Sequence, residues 1–236
     1  MNDWDANAGL PGHRSVLDPA DAGGTKNALI DRVQRAALSE ALRAVPAGAR
    51  ALDLGCGTGR LTSWLAGAGL GVVGVDGSEP MLQQARARGV AAPLARADAA
   101  ALPFADGALG LVLSVGVLAV FAPDEERFAA VLGEAARVLA PGGSLVAIEQ
   151  AGDEDFGRGA SVAGYRAAFE AAGLRVESAE PVRLGDSPIL ARCARHPWLG
   201  PALGRPSRLR REARSATGPL TGGRYADVLF VATATS

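Results

Sequence analysis

Between Ala51 and Ala66 the chain reads ALDLGCGTGRLTSWLA. Ala51, Leu52 and Leu54 predict the end of a buried strand, and Leu61, Trp64 and Leu65 recur at helical spacing. Gly55, Gly57 and Gly59 lie between them. Glycines at alternate positions accept positive φ and carry no Cβ to hold a ligand off the backbone. The helix that follows offers free N–H groups at its start. A strand, a glycine turn and a helix constrain the fold to an α/β sheet with a ligand at the strand tip. Arg60 stands where the dinucleotide fingerprint G-x-G-x-x-G needs its third glycine, and the lysine–hydroxyl pair of a P-loop is absent. Arg60 thus argues against the rival reading of a nicotinamide (NAD) dehydrogenase.

The 236 residues suit one α/β domain with an extension or small cap. At 48% hydrophobic the chain can bury a sizeable core, and a net charge of −1 does not suit a general polyanion binder. Cys56 and Cys193 make neither a disulfide framework nor a metal-ligand spacing, which predicts free thiols, no metal and a reduced, cytoplasmic setting. No apolar run reaches membrane-spanning length, and MNDWDANAGLPG is too polar for a signal peptide. Lys26 is the sole lysine, so the basic residues are otherwise arginines. Abundant alanine and glycine alongside them indicate a GC-rich bacterial coding bias.

Further along, Gly69–Val75 is a β-branched run ending at Asp76, with Gly77 after it and Ser78-Glu79-Pro80 as a helix start. Val90 to Ala97 supplies a third strand closed by Asp98 and Ala99, followed by Leu102-Pro103-Phe104 and Asp106-Gly107. Leu109–Val115 is a fourth strand bearing Ser114. Asp124 to Ala140 is an amphipathic helix, Pro141-Gly142-Gly143 stops it, and Ser144–Ile148 makes a fifth strand ending at Glu149. Val162 to Ala172 reads as helix; Leu174–Val182 and Tyr225–Ala234 read as the last two strands.

This series resembles the class I, Rossmann-like S-adenosylmethionine-dependent methyltransferases of small-molecule type. The resemblance implies a three-layer α/β sandwich. Its seven-stranded, mostly parallel sheet would have the order 3-2-1-4-5-7-6, with strand 7 antiparallel, and a small substrate cap. It implies S-adenosyl-L-methionine as cofactor and S-adenosyl-L-homocysteine as product. Asp53, Gly55, Cys56, Gly57, Gly59 and Ser114 fall where the family lines the methionine end, Asp76 and Gly77 where it holds the ribose. Met81, Asp98 and Ala99 fall at the adenine. Val120 occupies the place where many small-molecule members carry a histidine.

The expected organisation is an N-terminal arm and helix acting as a lid (residues 1–46), a core (47–183 and 225–236) and an inserted cap (184–224). On the arm, Trp4, His13, Lys26 and Arg32 are candidates to face the site, with packing or solvation as the alternative. The cap carries eight arginines, Arg208 and Arg211 among them, against Asp186 and Glu212, a local charge of +6. Such a balance suits either an anionic acceptor or a solvated helix face. His13, Glu149 and Tyr165 are candidates for a catalytic role, each with a packing or loop-bonding alternative. The Asn-Pro-Pro-Tyr type of motif used on base amines is absent, Ser114-Val115-Gly116-Val117 standing in its place, which argues against nucleic acid. The resulting expectation is transfer of a methyl group to O or N of a small bacterial secondary metabolite by a monomer or homodimer, with no nucleic acid or membrane partner. A cofactor-binding protein catalysing a different reaction is the alternative.

Overall fold

The computed structural model describes residues 3–152, 160–200, 204–215 and 225–235. Seven strands form one sheet: β1 Arg50–Leu54, β2 Gly71–Asp76, β3 Leu94–Arg96, β4 Leu109–Val115, β5 Leu139–Gly152, β6 Leu174–Leu184 and β7 Tyr225–Ala234. Their order is 3-2-1-4-5-7-6, and β7 runs antiparallel to both β5 and β6. The expected order therefore holds. Its reversal at β1 and β4 opens a crevice outside the carboxyl ends of the parallel strands, where ligands of such sheets bind.

Nine helices are described: α1 Asp3–Asn7, α2 Thr25–Ala41, α3 Arg60–Gly67, α4 Glu79–Ala87, α5 Leu118–Phe121, α6 Glu125–Val138, α7 Val162–Ala171, α8 Pro188–Arg195 and α9 Pro206–Ser215. Their starts follow from local chemistry. Ser78, Asp124, Ser161 and Ser187 each accept a backbone N–H within the first turn of α4, α6, α7 and α8.

Alternate residues on each strand enter opposite cores. One face gives Leu52, Leu54, Val112, Leu145, Ala147 and Phe230 to a cluster with α6 and α7. The other gives Ala51, Leu111, Leu113, Val146, Ile148 and Leu229 to a cluster with Leu29, Ile30, Val33 and Leu38 of α2. On β4 and β5 this period of two separates the side chains that reach the crevice from those that do not.

In the arm, α1 is followed by a 3₁₀ turn over Gly12–Ser15. The described part of the cap does not cover the crevice. Leu190 and Cys193 of α8 and Leu209 of α9 are buried in the cluster beneath α2, so these helices extend the outer layer. Arginines of α9 bind neighbouring acids: Arg210 pairs with Glu40, and Arg214 with Glu180 at 3.0 Å. Arg224 and the other residues of 216–224 lie outside the described part.

Candidate cofactor and acceptor site

A cavity of about 1480 Å³ runs along the carboxyl ends of the central strands. That exceeds the range of roughly 300–1,000 Å³ usual for one small ligand, so two molecules have room side by side. At one end stand Asp53, Gly55, Cys56, Gly57, Asp76, Gly77, Met81, Asp98 and Ala99. The arm contributes Trp4, Asp5, Arg14, Val16, Leu17 and Lys26 to the cavity wall.

The glycine loop is shaped by its neighbours as much as by a ligand. Gly55, Gly57 and Gly59 all have positive φ. A Cβ on Gly55 would stand 2.3 Å from Val117 Cγ2, one on Gly57 2.8 Å from Val16 Cγ1, and one on Gly59 2.4 Å from Val90 Cγ2. Gly59 does not line the cavity: it starts α3 and makes room for Val90. The closeness of Val16 to Gly57 seats the arm on the loop.

Asp53 is buried, and Thr62 Oγ1 of α3 donates to it at 2.6 Å. Loss of water pushes its carboxyl up to about 6, the Thr62 hydroxyl and the Arg60 charge opposing. Asp76 accepts from the Gly57 and Ser78 backbone N–H groups, each at 2.8 Å. Burial still raises its carboxyl, against those hydrogen bonds. Asp98 is half exposed, and Arg127 Nη2 binds it at 2.5 Å. That bond, with a second from the Ala100 N–H, holds it below the ordinary range. Cys56 lines the cavity but is buried, and loss of water raises its thiol, so it is no nucleophile at neutral pH.

Five sequence candidates fall elsewhere. Ser114 and Glu149 share the sheet face of Val112 and Ala147, and neither lines the crevice. Ser114 Oγ donates to Glu149 Oε1 at 2.8 Å, and the Val117 and Ala119 N–H groups donate to the same carboxylate at 3.3 and 3.1 Å. Glu149 thus pins the loop between β4 and α5. Tyr165 is fully buried in an aromatic cluster, its ring centroid 5.2 Å from that of Phe230 and its hydroxyl donating to the Gln150 carbonyl. His13 lies off the cavity near Asp31 and Arg60, and burial lowers its imidazole pKa. Arg32 is likewise absent from the wall.

In their place stand residues one step away or far along the chain. Val115 and Gln150, the next neighbours of Ser114 and Glu149, have the right parity and line the cavity. The alternation of Leu111 and Leu113 with Val115, and of Val146 and Ile148 with the polar Gln150, carries that signal in the sequence. Val120 is on the wall as well, so the histidine position of many small-molecule relatives is apolar surface here. Gln34, Arg183, Tyr225 and Asp227 complete the far end and had no local signature. Among the described residues, no group of three or more His, Cys, Asp or Glu could hold a metal ion, and no helix is long and apolar enough to cross a membrane.

The donor set fits an adenosylated sulfonium. Backbone without Cβ lies at Gly55 and Gly57, carboxylates stand at the tips of β1 and β2, and Asp98 follows β3. Asp53 and Asp76 are both short of solvation, so a cation or a hydroxyl pair beside them relieves the cost of their burial.

Comparisons with known proteins agree with this geometry. Residues 52–147 match the family described as "Methyltransferase domain". A demethylmenaquinone methyltransferase of Thermus thermophilus is 44% identical over 124 residues, covering 50% of this chain and 54% of the relative. One of Beutenbergia cavernae is 40% identical over 121 residues, covering 51% and 48%. The chain thus spans about half the length of these curated relatives. Among solved structures, a complex of the Haloferax volcanii Trm112 methyltransferase activator with a methyltransferase is similar at a TM-score of 0.66 and 25% identity. That match covers 100% of this chain and 99% of the other. The [4+2]-cyclase SpnF shares the fold at a TM-score of 0.61 and 18% identity, over 95% and 97% of the two chains. Residues 52–147 therefore form a methyltransferase domain, and the chain that holds them has the class I S-adenosylmethionine-dependent methyltransferase fold.

Proposed function

We propose that this protein is an enzyme that transfers the methyl group of S-adenosylmethionine to an oxygen or nitrogen of a small molecule, a bacterial secondary metabolite. The observation that carries this reading is the single cavity, which joins the glycine loop and its acids to a second, mixed polar and apolar end. The sulfonium of the cofactor supplies an activated methyl group. The chain's own residues hold two molecules in line and away from water. Such positioning is worth about 7–11 kcal/mol, and a metal or a catalytic triad is not needed for it.

On this reading Asp76 accepts from the ribose hydroxyls, Met81 packs on the adenine, and Asp98 with the Ala99 backbone takes the adenine edge. Asp53, Gly55, Cys56 and Gly57 border the methionine portion. Gly77 continues the ribose wall. The arm shuts the cavity over both ligands, a reading supported by the closeness of Val16 to Gly57 and by the Ser78 hydroxyl donating to Asp5 at 2.5 Å. The demethylmenaquinone named for the relatives supports an acceptor with an apolar ring. The described cap arginines do not reach the cavity, so they lend no support to an anionic one.

Calorimetry with S-adenosylhomocysteine tests the cofactor assignment, with micromolar binding as the expected result. Incubation with methyl-labelled S-adenosylmethionine and a panel of small hydroxyl and amine compounds tests the transfer. Label passing to a panel member, with S-adenosylhomocysteine formed in equal amount, is the expected outcome. Binding of the cofactor with no S-adenosylhomocysteine formed on any of them would favour a non-methylating reaction on the same site.

A further inference from the structure

The far end of the cavity contains a row of polar side chains that crosses three strands. Gln150 on β5 lies opposite Asp227 on β7, and Asp227 lies opposite Arg183 on β6. All three line the cavity. The β6–β7 register shifts twice, between Val176 and Ser178 and again between Pro181 and Arg183. One extra residue, Val182, turns the following side chain to the other face. Val182 packs beneath α2, and Leu184 returns to the opposite core with Ala226. Without this second shift Arg183 would pair with Ala226 and face the opposite core.

The pair is buried, with side-chain exposures of 7% for Arg183 and 4% for Asp227. Arg183 Nε stands 2.7 Å from Asp227 Oδ2 without hydrogen-bond alignment, and its Nη1 donates to the Leu184 carbonyl at 3.1 Å. Asp227 Oδ1 has no hydrogen-bond partner among the described residues. Gln34 of α2 approaches this carboxylate with its amide, since its Oε1 is occupied by Arg60 Nη2 at 3.0 Å. The nearby cation Lys26 is committed to Asp18 at 2.6 Å. Around the row the wall is apolar, with Leu17, Ile30 and Ile148. A buried carboxylate oxygen without a donor is costly, and an ion pair alone is a weak reason to keep two charges inside.

We propose that Asp227, set by Arg183 and flanked by Gln150, is the recognition group for the acceptor. Its Oδ1 accepts a hydrogen bond from a neutral hydroxyl or amine N–H on an otherwise apolar, ring-sized molecule. The ligand class is a donor-bearing aromatic such as a phenol or arylamine. A carboxylate or phosphate head is rejected, because it would meet Oδ1 lone pair to lone pair. This inference rests on the methyl-transfer reading for the neighbouring end of the cavity.

The test uses the full chain saturated with S-adenosylhomocysteine, so that failure of the cofactor assignment shows as absent binding of that compound before any acceptor is added. Three probes are titrated and followed by fluorescence: 2-naphthol, 2-methoxynaphthalene and 2-naphthoate. The wild-type protein is expected to bind 2-naphthol about tenfold or more tightly than the methyl ether, which leaves Oδ1 unpaired, and more tightly than the anion. Asp227→Asn is expected to lose or reverse the preference between the first two, because its carboxamide oxygen turns to Arg183 and its NH₂ faces the cavity. S-Adenosylhomocysteine affinity should change less than about threefold, since Asp227 lies away from the cofactor end. Should the asparagine variant fail to fold, the double variant Arg183→Leu/Asp227→Leu removes both charges together and leaves no orphan. It is expected to bind the ether at least as well as the naphthol. Equal affinities of the wild type for naphthol and ether, tightest binding of the naphthoate, or an unchanged preference in either variant overturns the proposal.

Discussion

Glu149 permits a direct test of whether burial or hydrogen bonding governs a carboxyl group behind the cavity wall. The side chain accepts from Ser114 Oγ and from the Val117 and Ala119 backbone N–H groups, and it is 1% exposed. Donors of that kind favour the ionised form, and loss of water opposes it. Burial wins, raising the carboxyl from 4.5 to about 7. At about 1.36 kcal/mol per pKa unit, that difference corresponds to roughly 3 kcal/mol. Because the folded pKa lies above the unfolded one, the native state binds more protons between them. Stability is therefore greatest at and below pH 4.5, falls as pH rises towards 7, and levels off above.

Glu149→Gln removes this proton from the balance. The carboxamide can accept from Ala119 and donate to Ser114 Oγ, which leaves the longer Val117 contact facing an NH₂. One unsatisfied buried donor costs about 1–3 kcal/mol. The variant should accordingly be less stable than the wild type by about that amount at pH 5. The gap should close, or reverse sign, by pH 8, where the wild type carries a buried charge. Urea unfolding of both proteins at half-unit intervals of pH measures it. A gap that stays constant, or widens as pH rises, would refute the dominance of burial and show that the three donors set the ionisation.

Three further perturbations follow from the site. Gly57→Ala forces a φ of +54° on alanine and a Cβ to within 2.8 Å of Val16 Cγ1. It should weaken S-adenosylhomocysteine binding about tenfold or more by calorimetry through displacement of the arm and the loop together. Thr62→Val leaves Asp53 without its 2.6 Å donor. It should cost about 1–3 kcal/mol in urea unfolding at pH 8 and less at pH 5, because the Asp53 carboxyl, already raised to about 6, then takes up its proton more readily. Arg60→Gly restores the third glycine of a dinucleotide loop but strips Asp31 and Gln34 of a buried partner. About 3–5 kcal/mol of stability should be lost, with no binding of NAD by titration; saturable NAD binding would contradict the part assigned to the loop.

Much of the candidate site was legible because its signals are local. The strand, glycine turn and helix from Ala51 to Ala66 needed only neighbours in sequence to declare themselves, and Asp76 and Asp98 mark the ends of β-branched or apolar runs. The order of those signals along the chain carried the family resemblance, and it was the resemblance that implied the sheet order, including the antiparallel β7. Parity was within reach too: Ser114 and Glu149 were one residue away from Val115 and Gln150, and a period of two separates a wall from a hidden loop anchor. What the chain could not declare locally was the far end of the cavity. Arg183 and Asp227 meet across 44 residues of sequence through an irregular register. Gln34 reaches them from a helix that precedes the whole sheet. The arginines of α9 likewise had a charge but no address until packing set them against Glu40 and Glu180. Short-range spacing specifies which backbone geometry forms at each strand tip. Which distant side chains share one cavity depends on strand pairing and on the two register shifts of β6, and those exist only once the chain has closed on itself.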